Sequence, residues 1–302
     1  MSVELPSADE LPAVLLELSV PHEDIDDLVA LMPSERRSPQ EWELLERYTA
    51  LLLRDLGEID ASSPPPVFPD ELGDLERYFP VYVFLAALPQ VRGYHRARGI
   101  PDDVSRLTLA DLGRAMARHR RQAGVGGLTL VSWLALHFRG ALYQLGRLQF
   151  QRARLDERVG RAVAAAGLPY GPGDLALSVH IPACFGPLSP SACDDSFRQA
   201  AGFFARHFPG ERYRLAYCGS WLLDEQLAGY LSATSNIIAF QRRFRILERP
   251  DRYDDEDILR FVFGREVSRL DGLPRRTTLE RAAVDHLRTG GHWYSPNGWL
   301  VL

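Results

Sequence analysis

The chain contains no lysine. That absence removes three chemistries: a Schiff-base amine, a lysine holding pyridoxal phosphate, and the lysine of a Walker-type phosphate loop. All 35 basic side chains are arginine, a bias that genomic base composition is enough to produce. Cysteine is also scarce. Cys184, Cys193 and Cys218 are odd in number and form no CxxC pair, which argues against a disulfide framework or a zinc site and for a reducing cytoplasm. No metal is expected. Long hydrophobic runs are missing too: the longest, Val81 to Leu88, is far too short to span a bilayer, so no membrane association is expected. The acidic opening MSVELPSADELP lacks a basic n-region, and no secretory signal is expected.

What is present is the composition of a soluble globular protein. Its 302 residues are 46% hydrophobic and 25% charged, enough for one large domain or two ordinary ones. Charge is unevenly placed. Residues 1–77 hold 19 acidic side chains against 5 arginines, a net of −14, whereas residues 78–302 hold 21 against 30, a net of +9. A basic segment joined to an acidic one suits a polyanionic ligand such as a nucleotide cofactor, and equally suits attraction between the two segments. The positive charge is modest and no basic-aromatic stripe is present, so nucleic acid is not expected as a partner.

The first part reads as helical. Glu10–Leu18 and Glu23–Met32 are apolar-periodic, and Ser38-Pro39-Gln40-Glu41 spells a capping box opening a helix over 39–56. The stretch 61–66 is a proline-rich linker. A second helical group carries Tyr78, Tyr82, Phe84, Leu85 and Leu88. His95 and Arg98 then face either a site or solvent, and Thr108-x-x-Asp111 offers a cap for a helix reaching about Arg121. Arg121 to Gly126 spells R-x-x-G-x-G, a pyrophosphate pattern of acetyl-CoA-dependent transferases. Here a helix precedes it instead of a strand, so the glycines read as a helix stop. Leu128–Tyr143 is apolar enough for a buried helix, and Arg147–Leu155 alternates as a strand.

Residues 175–246 organise the remainder. Leu175, Leu177, Val179 and Ile181 alternate as a strand with one buried face; a Pro/Ser/Gly loop follows. Phe197, Ala201, Phe204 and Phe208 then recur at helical spacing before a second strand, Tyr213–Ser220. A strand entering a helix through such a loop aims N–H groups and the positive helix end at one point, which suits a phosphate; a plain βαβ unit with nothing bound has the same spacing.

In order, RGIP, LGRLQFQ, HIP, GPLSP, FFARHFP, SWLLD, SNIIAFQRRF and TTLERA resemble a bacterial two-part family of acyltransferases. Its members carry an N-terminal helical N-acyltransferase domain and a C-terminal GNAT-like domain. The resemblance implies an α/β (α+β) chain: a helical domain over 1–123, then a GNAT-like domain over 124–302 with a mixed, splayed sheet flanked by helices. It implies an acyl-CoA-dependent N-acyltransferase that moves an acetyl or longer acyl group from acyl-CoA to the amine of a small-molecule or protein acceptor. The sequence specifies neither the acceptor nor the oligomeric state.

In such an enzyme the acceptor amine attacks the thioester directly, which requires a base, oxyanion donors and an acid near the leaving thiolate. His180 is the candidate base, with an ordinary pKa suited to neutrality, or else satisfies a backbone carbonyl. Tyr230 is the candidate acid or a packed aromatic. Glu225 is an alternative base or complements a helix dipole. Cys184, Phe185, Gly186, Leu188, Ser189 and Ser191 would hold the donor, with Ser220 and Asn236 as hydrogen-bonding residues or helix caps. Cys218 is a possible nucleophile or simply packed. The loop departs from the family pattern: Ala183 to Ser189 lacks R/Q-x-x-G-x-G, and Pro187 and Pro190 remove two N–H donors. That departure motivates a second reading, a catalytically inactive GNAT-like module that binds a ligand or partner.

Overall fold

The computed structural model describes residues 3–60, 68, 72–264, 267 and 269–302; the proline-rich linker expected at 61–66 lies outside them. The chain divides into two compact units, Met1–Tyr143 and Gln144–Leu302.

The first unit is helical: α1 (Leu11–Glu17), α2 (His22–Ala30), α3 (Pro39–Arg54), α4 (Phe79–Ala97), α5 (Asp102–Leu109), α6 (Asp111–Ala123) and α7 (Val131–Phe138). The apolar run at 81–88 explains the arrangement. It lies in the amino-terminal half of α4, which packs chiefly on α3 and α7 and has no solvent face there. No helix among the described residues is long and apolar enough to cross a membrane. Gly124, before which the sequence reading divides the chain, is the left-handed cap of α6, and α7 beyond it packs against α3 through α6.

The same place explains the R-x-x-G-x-G string. Asp24 of α2 is fully buried and accepts from the Tyr78 hydroxyl at 2.7 Å and from the Arg120 guanidinium. A β-carbon on Gly126 would collide with both the Asp24 carboxylate and the Tyr78 hydroxyl. The glycine is needed for close packing over a buried ion pair, not for phosphate.

Three local expectations are corrected. Ser38 does not cap α3: its hydroxyl accepts from the Ser34 N–H at 2.9 Å and donates to the Ser34 carbonyl at 3.1 Å. Thr108 lies buried inside α5, while Asp111 begins α6 and accepts from Arg114 and the Trp133 indole. His95 faces neither a site nor solvent. It is 1% exposed, with Nδ1 2.8 Å from the Ser105 hydroxyl.

The second unit is a mixed sheet with helices. Its strands are β1 (Leu142–Leu145), β2 (Leu148–Arg154), β3 (Leu175–His180), β4 (Leu215–Gly219), β5 (Arg245–Ile246) and β6 (Asn297–Val301), in the order β1-β2-β3-β4-β6-β5. Strand β1 straddles the division between units and includes the last residues of the stretch read as one buried helix. Helices α8 (Glu157–Ala165), α9 (Pro190–His207), α10 (Asn236–Gln241), α11 (Asp255–Phe263) and α12 (Thr278–Arg288) complete it. Asp156, Ser189, Ser235 and Thr277 each accept an N–H in the first turn of α8, α9, α10 and α12, and Thr277 with Glu280 forms a full capping box.

Register places the opening. β3 pairs antiparallel with β2 over six positions, from Gln149↔His180 to Arg154↔Leu175, and β4 pairs with β6 over five. Between them the parallel ladder has only two, Leu177↔Ala216 and Ser178↔Tyr217. Beyond these, the carboxyl ends of β3 and β4 have no ladder partners in each other. The sheet is splayed there, and a crevice outside parallel carboxyl ends is the usual ligand position in such sheets.

Two measurements test the helical unit. Gly126→Ala forces apart a buried charged network and is expected to cost about 3 kcal/mol, read by denaturant unfolding; a loss below about 0.5 kcal/mol would contradict the packing described. Burial lowers the His95 pKa from 6.5 to about 4. Folded His95 then stays neutral while the unfolded chain takes up a proton. Stability is full above pH 6.5, falls as pH drops toward 4, and the loss reaches about 3 kcal/mol. His95→Gln should flatten that slope, and an unchanged slope would refute the assignment.

Candidate active site

Because successive side chains of a strand point to opposite faces, register assigns every residue at the opening. Phe150 and Val179 share the face that meets α9, where Phe150 lies edge-on to Phe197 at 5.5 Å. On the other face, α8 covers only the amino-terminal half of β3, through Val159 and Val163 against Ala176, Leu215 and Trp299. The half toward the splayed ends is polar: Gln149 and Gln151 of β2, Ser178 and His180 of β3, Tyr217 of β4. His180 Nε2 lies 2.9 Å from Gln151 Oε1. With Gln151 Oε1 as the acceptor, it is the Nε2–H tautomer of the ring that makes this bond. Burial raises the Tyr217 pKa, with the Ser178 hydroxyl pulling it back. The sequence reading expected one buried face on β3. Residues of both faces are buried from Ala176 to Val179, with Leu175 and His180 half-buried at the two ends.

The loop from Ile181 to Ser189 joins β3 to α9. Its shape is unusual: Phe185 and Gly186 are both left-handed, with φ of 72° and 78°, and a bulky residue there is strained by about 1 kcal/mol or more. The Ser189 hydroxyl accepts from Ala192 N–H and its carbonyl from Cys193 N–H. Pro187 and Pro190 offer no donor. Even so, the N–H groups of Ala183, Gly186, Leu188, Ser189 and Ser191 have no acceptor among the described residues.

Two residues that sequence reasoning missed support this loop. Ser196 of α9, buried, donates to the Ala192 carbonyl at 3.0 Å and accepts the N–H of Arg147 at 2.7 Å and of Leu148 at 3.2 Å. It fastens α9 to the turn between β1 and β2. From that turn the Arg147 side chain donates through Nε to the Gly186 carbonyl at 2.9 Å and through Nη1 to the Pro182 carbonyl at 3.0 Å. In the sequence Arg147 is one of 35 arginines, and nothing nearby in the chain points to residues 182 and 186.

The remaining predicted residues are more scattered. Cys184 is exposed on the loop, and Leu188 is buried and anchors it. Ser220 caps the short 3₁₀ turn after β4, accepting from Leu222 N–H at 3.2 Å. Asn236 is the exposed first residue of α10, whose cap is Ser235. Glu225 is exposed beside Asp224, Arg249 and Pro296, lining a cavity of about 300 Å³ that does not include His180. Tyr230, 37% exposed, has its hydroxyl 3.0 Å from His286 Nδ1 and its ring 5.9 Å from that of Trp293, both in the α12 region. No contact joins Tyr230 or Glu225 to His180 among the described residues. Cys218 is fully buried and its thiol pushed up to about 12, so it holds its proton and is no nucleophile. Among the described residues no cluster of three His, Cys, Asp or Glu could hold a metal ion.

Comparison with known proteins places these features. Residues 9–140 match the model of the N-acyltransferase N-terminal domain and residues 142–300 that of the GNAT-like C-terminal domain. A crystal structure of an acyltransferase in complex with decanoyl-CoA is 41% identical, with a TM-score of 0.90 over 100% of this chain and 90% of that one. An acyltransferase mutant with octanoyl-CoA is 40% identical at a TM-score of 0.88, covering 99% of this chain and 90% of that one. An acyltransferase with decanoyl-CoA and teicoplanin is 41% identical at 0.88, with the same coverage. No curated protein matches the chain. The splayed sheet, the loop with its unpaired N–H groups and these matches lead to one conclusion: the chain belongs to the acyltransferase family that joins an N-acyltransferase N-terminal domain to a GNAT-like C-terminal domain, and it transfers acyl groups from acyl-CoA.

Proposed function

We propose that the crevice between β3 and β4 is the reaction centre, with His180 as the base and the loop 181–191 as the seat of the donor's diphosphate. The observation that carries this reading is the short parallel ladder. It opens the sheet beside a polar row that holds His180, in a chain about 40% identical to acyltransferases that bind octanoyl-CoA and decanoyl-CoA.

The fit to the donor is reasonable on this chain's own groups. Unpaired N–H donors of Gly186, Leu188, Ser189 and Ser191 meet the positive end of α9, an 18-residue helix. Bound there, acyl-CoA supplies a carbonyl already activated as a thioester. The acceptor's amine forms the new C–N bond as the C–S bond breaks. His180 takes the proton that the amine gives up, while Gln151 holds the ring through Nε2. The departing thiolate is made neutral by the same proton, returned from His180 directly or through solvent, so the step balances. Tyr230 and Glu225 belong to this reading only as secondary candidates, because their contacts lie with His286 and with the Arg249 cavity. Ser220, after β4, and Asn236, at the start of α10, belong to this reading as further donor contacts.

The donor is proposed to be a medium-chain acyl-CoA, and the acceptor a small-molecule amine of the kind offered by teicoplanin, which a 41% identical relative binds together with decanoyl-CoA. A bacterial cytoplasm is the proposed setting, in keeping with the exposed Cys184 and the buried Cys193 and Cys218.

Calorimetry with acetyl-, octanoyl- and decanoyl-CoA at millimolar concentration tests donor binding, and absence of heat with all three would sink the reading. His180→Ala should lower turnover at least tenfold while octanoyl-CoA still binds; unchanged turnover would remove His180 from the mechanism. Direct transfer predicts that Cys218→Ala leaves turnover within about threefold of the parent. Trapping of an acyl-enzyme on Cys218 by mass spectrometry would contradict it.

A further inference from the structure

Arg147 is buried, 8% exposed, yet it faces no carboxylate among the described residues. The contrast within this chain is instructive. Arg152, also buried, is held by both oxygens of Glu211. Arg120 lies on Asp24, Arg139 near Asp55, and Arg243, beside the same loop, on Asp194. A buried guanidinium stays charged at any physiological pH, and buried charges are ordinarily paired. The side chains that act electrostatically on Arg147, besides bulk burial, are the thiols of Cys193 and Cys184 on either side of the loop.

Its hydrogen bonds show where the charge is directed. Nε and Nη1 draw the carbonyls of Gly186 and Pro182 inward, and in a planar trans peptide the N–H points opposite to the C=O. The Ala183 N–H therefore faces away from Arg147, on the outer side of the loop. Nη2 has no hydrogen-bond partner among the described residues. The loop lacks a glycine-rich sequence and loses two donors to proline. A cation behind it supplies, from the turn between β1 and β2, what its backbone lacks.

We propose that Arg147 is a positioning and specificity residue for the phosphates of the acyl donor. Arg147 braces the loop through two carbonyls and supplies the uncompensated positive charge that a diphosphate on the loop's outer side would neutralise. This rests on the reading that loop 181–191 receives the donor's diphosphate.

The experiment compares octanoyl-CoA with octanoyl-pantetheine, which carries the same thioester without diphosphate or adenosine, using the full chain and one acceptor. For Arg147→Gln, KM for octanoyl-CoA should rise at least tenfold while kcat stays within about threefold, and KM for octanoyl-pantetheine should move less than twofold. Arg147→Lys, which keeps the charge but cannot hold both carbonyls, should raise KM for octanoyl-CoA by threefold or more, again without affecting the pantetheine donor. If the glutamine variant does not fold, by circular dichroism, the lysine variant alone decides. Equal shifts with both donors would mean a merely structural role and would overturn the proposal, as would an unchanged KM for octanoyl-CoA. Failure of the underlying reading shows separately: the parent protein would then use octanoyl-CoA no better than octanoyl-pantetheine.

Discussion

The second unit depends on two strands that pair and then stop pairing. Leu177↔Ala216 and Ser178↔Tyr217 hold β3 to β4, while full ladders on the outer sides keep each strand straight in its own half of the sheet. Without the outer ladders the inner ends would fray; with a longer inner ladder they would close. His180 is held by Gln151 from an adjacent strand, so its ring is preset rather than recruited. Such prior ordering is where much of the rate advantage of an enzyme arises.

Sequence legibility followed the range of the forces involved. The β3–loop–α9–β4 sequence could be read because each element carries its own period and its own stop: alternating Leu177 and Val179, the phenylalanines of α9, Pro209-Gly210 after it. The buried central helix was equally plain. Helices α8, α11 and α12 were not anticipated, although Asp156 and Thr277-x-x-Glu280 are local caps that a closer reading of first turns would have used. Ser38 shows the opposite failure, a correct capping string whose hydroxyl found Ser34 instead.

The site was less legible than the fold. His180 could be singled out because it ends a strand. Arg147 and Ser196 could not, since each acts across the fold on atoms 35 to 49 residues away in sequence, and two of the groups Arg147 binds are backbone carbonyls that every residue possesses. Tyr230 and Glu225 were chosen by their order after β4. Order does not fix which way a short 3₁₀ turn presents its side chains, and here they meet other partners. The R-x-x-G-x-G string was set aside on context, and Gly126 turns out to be required by a buried carboxylate.

The missing lysines have a chemical consequence in a protein that handles thioesters. Thioesters modify exposed amines and thiolates without any catalyst. This chain presents no ε-amino group at all, and two of its three thiols, Cys193 and Cys218, lie buried with their pKa values raised. Of the lysine and cysteine side chains that capture acyl groups readily, Cys184 alone is exposed, on the loop between β3 and α9. Whatever produced the arginine bias, the result is a set of side chains that offers thioesters one exposed thiol and no amine.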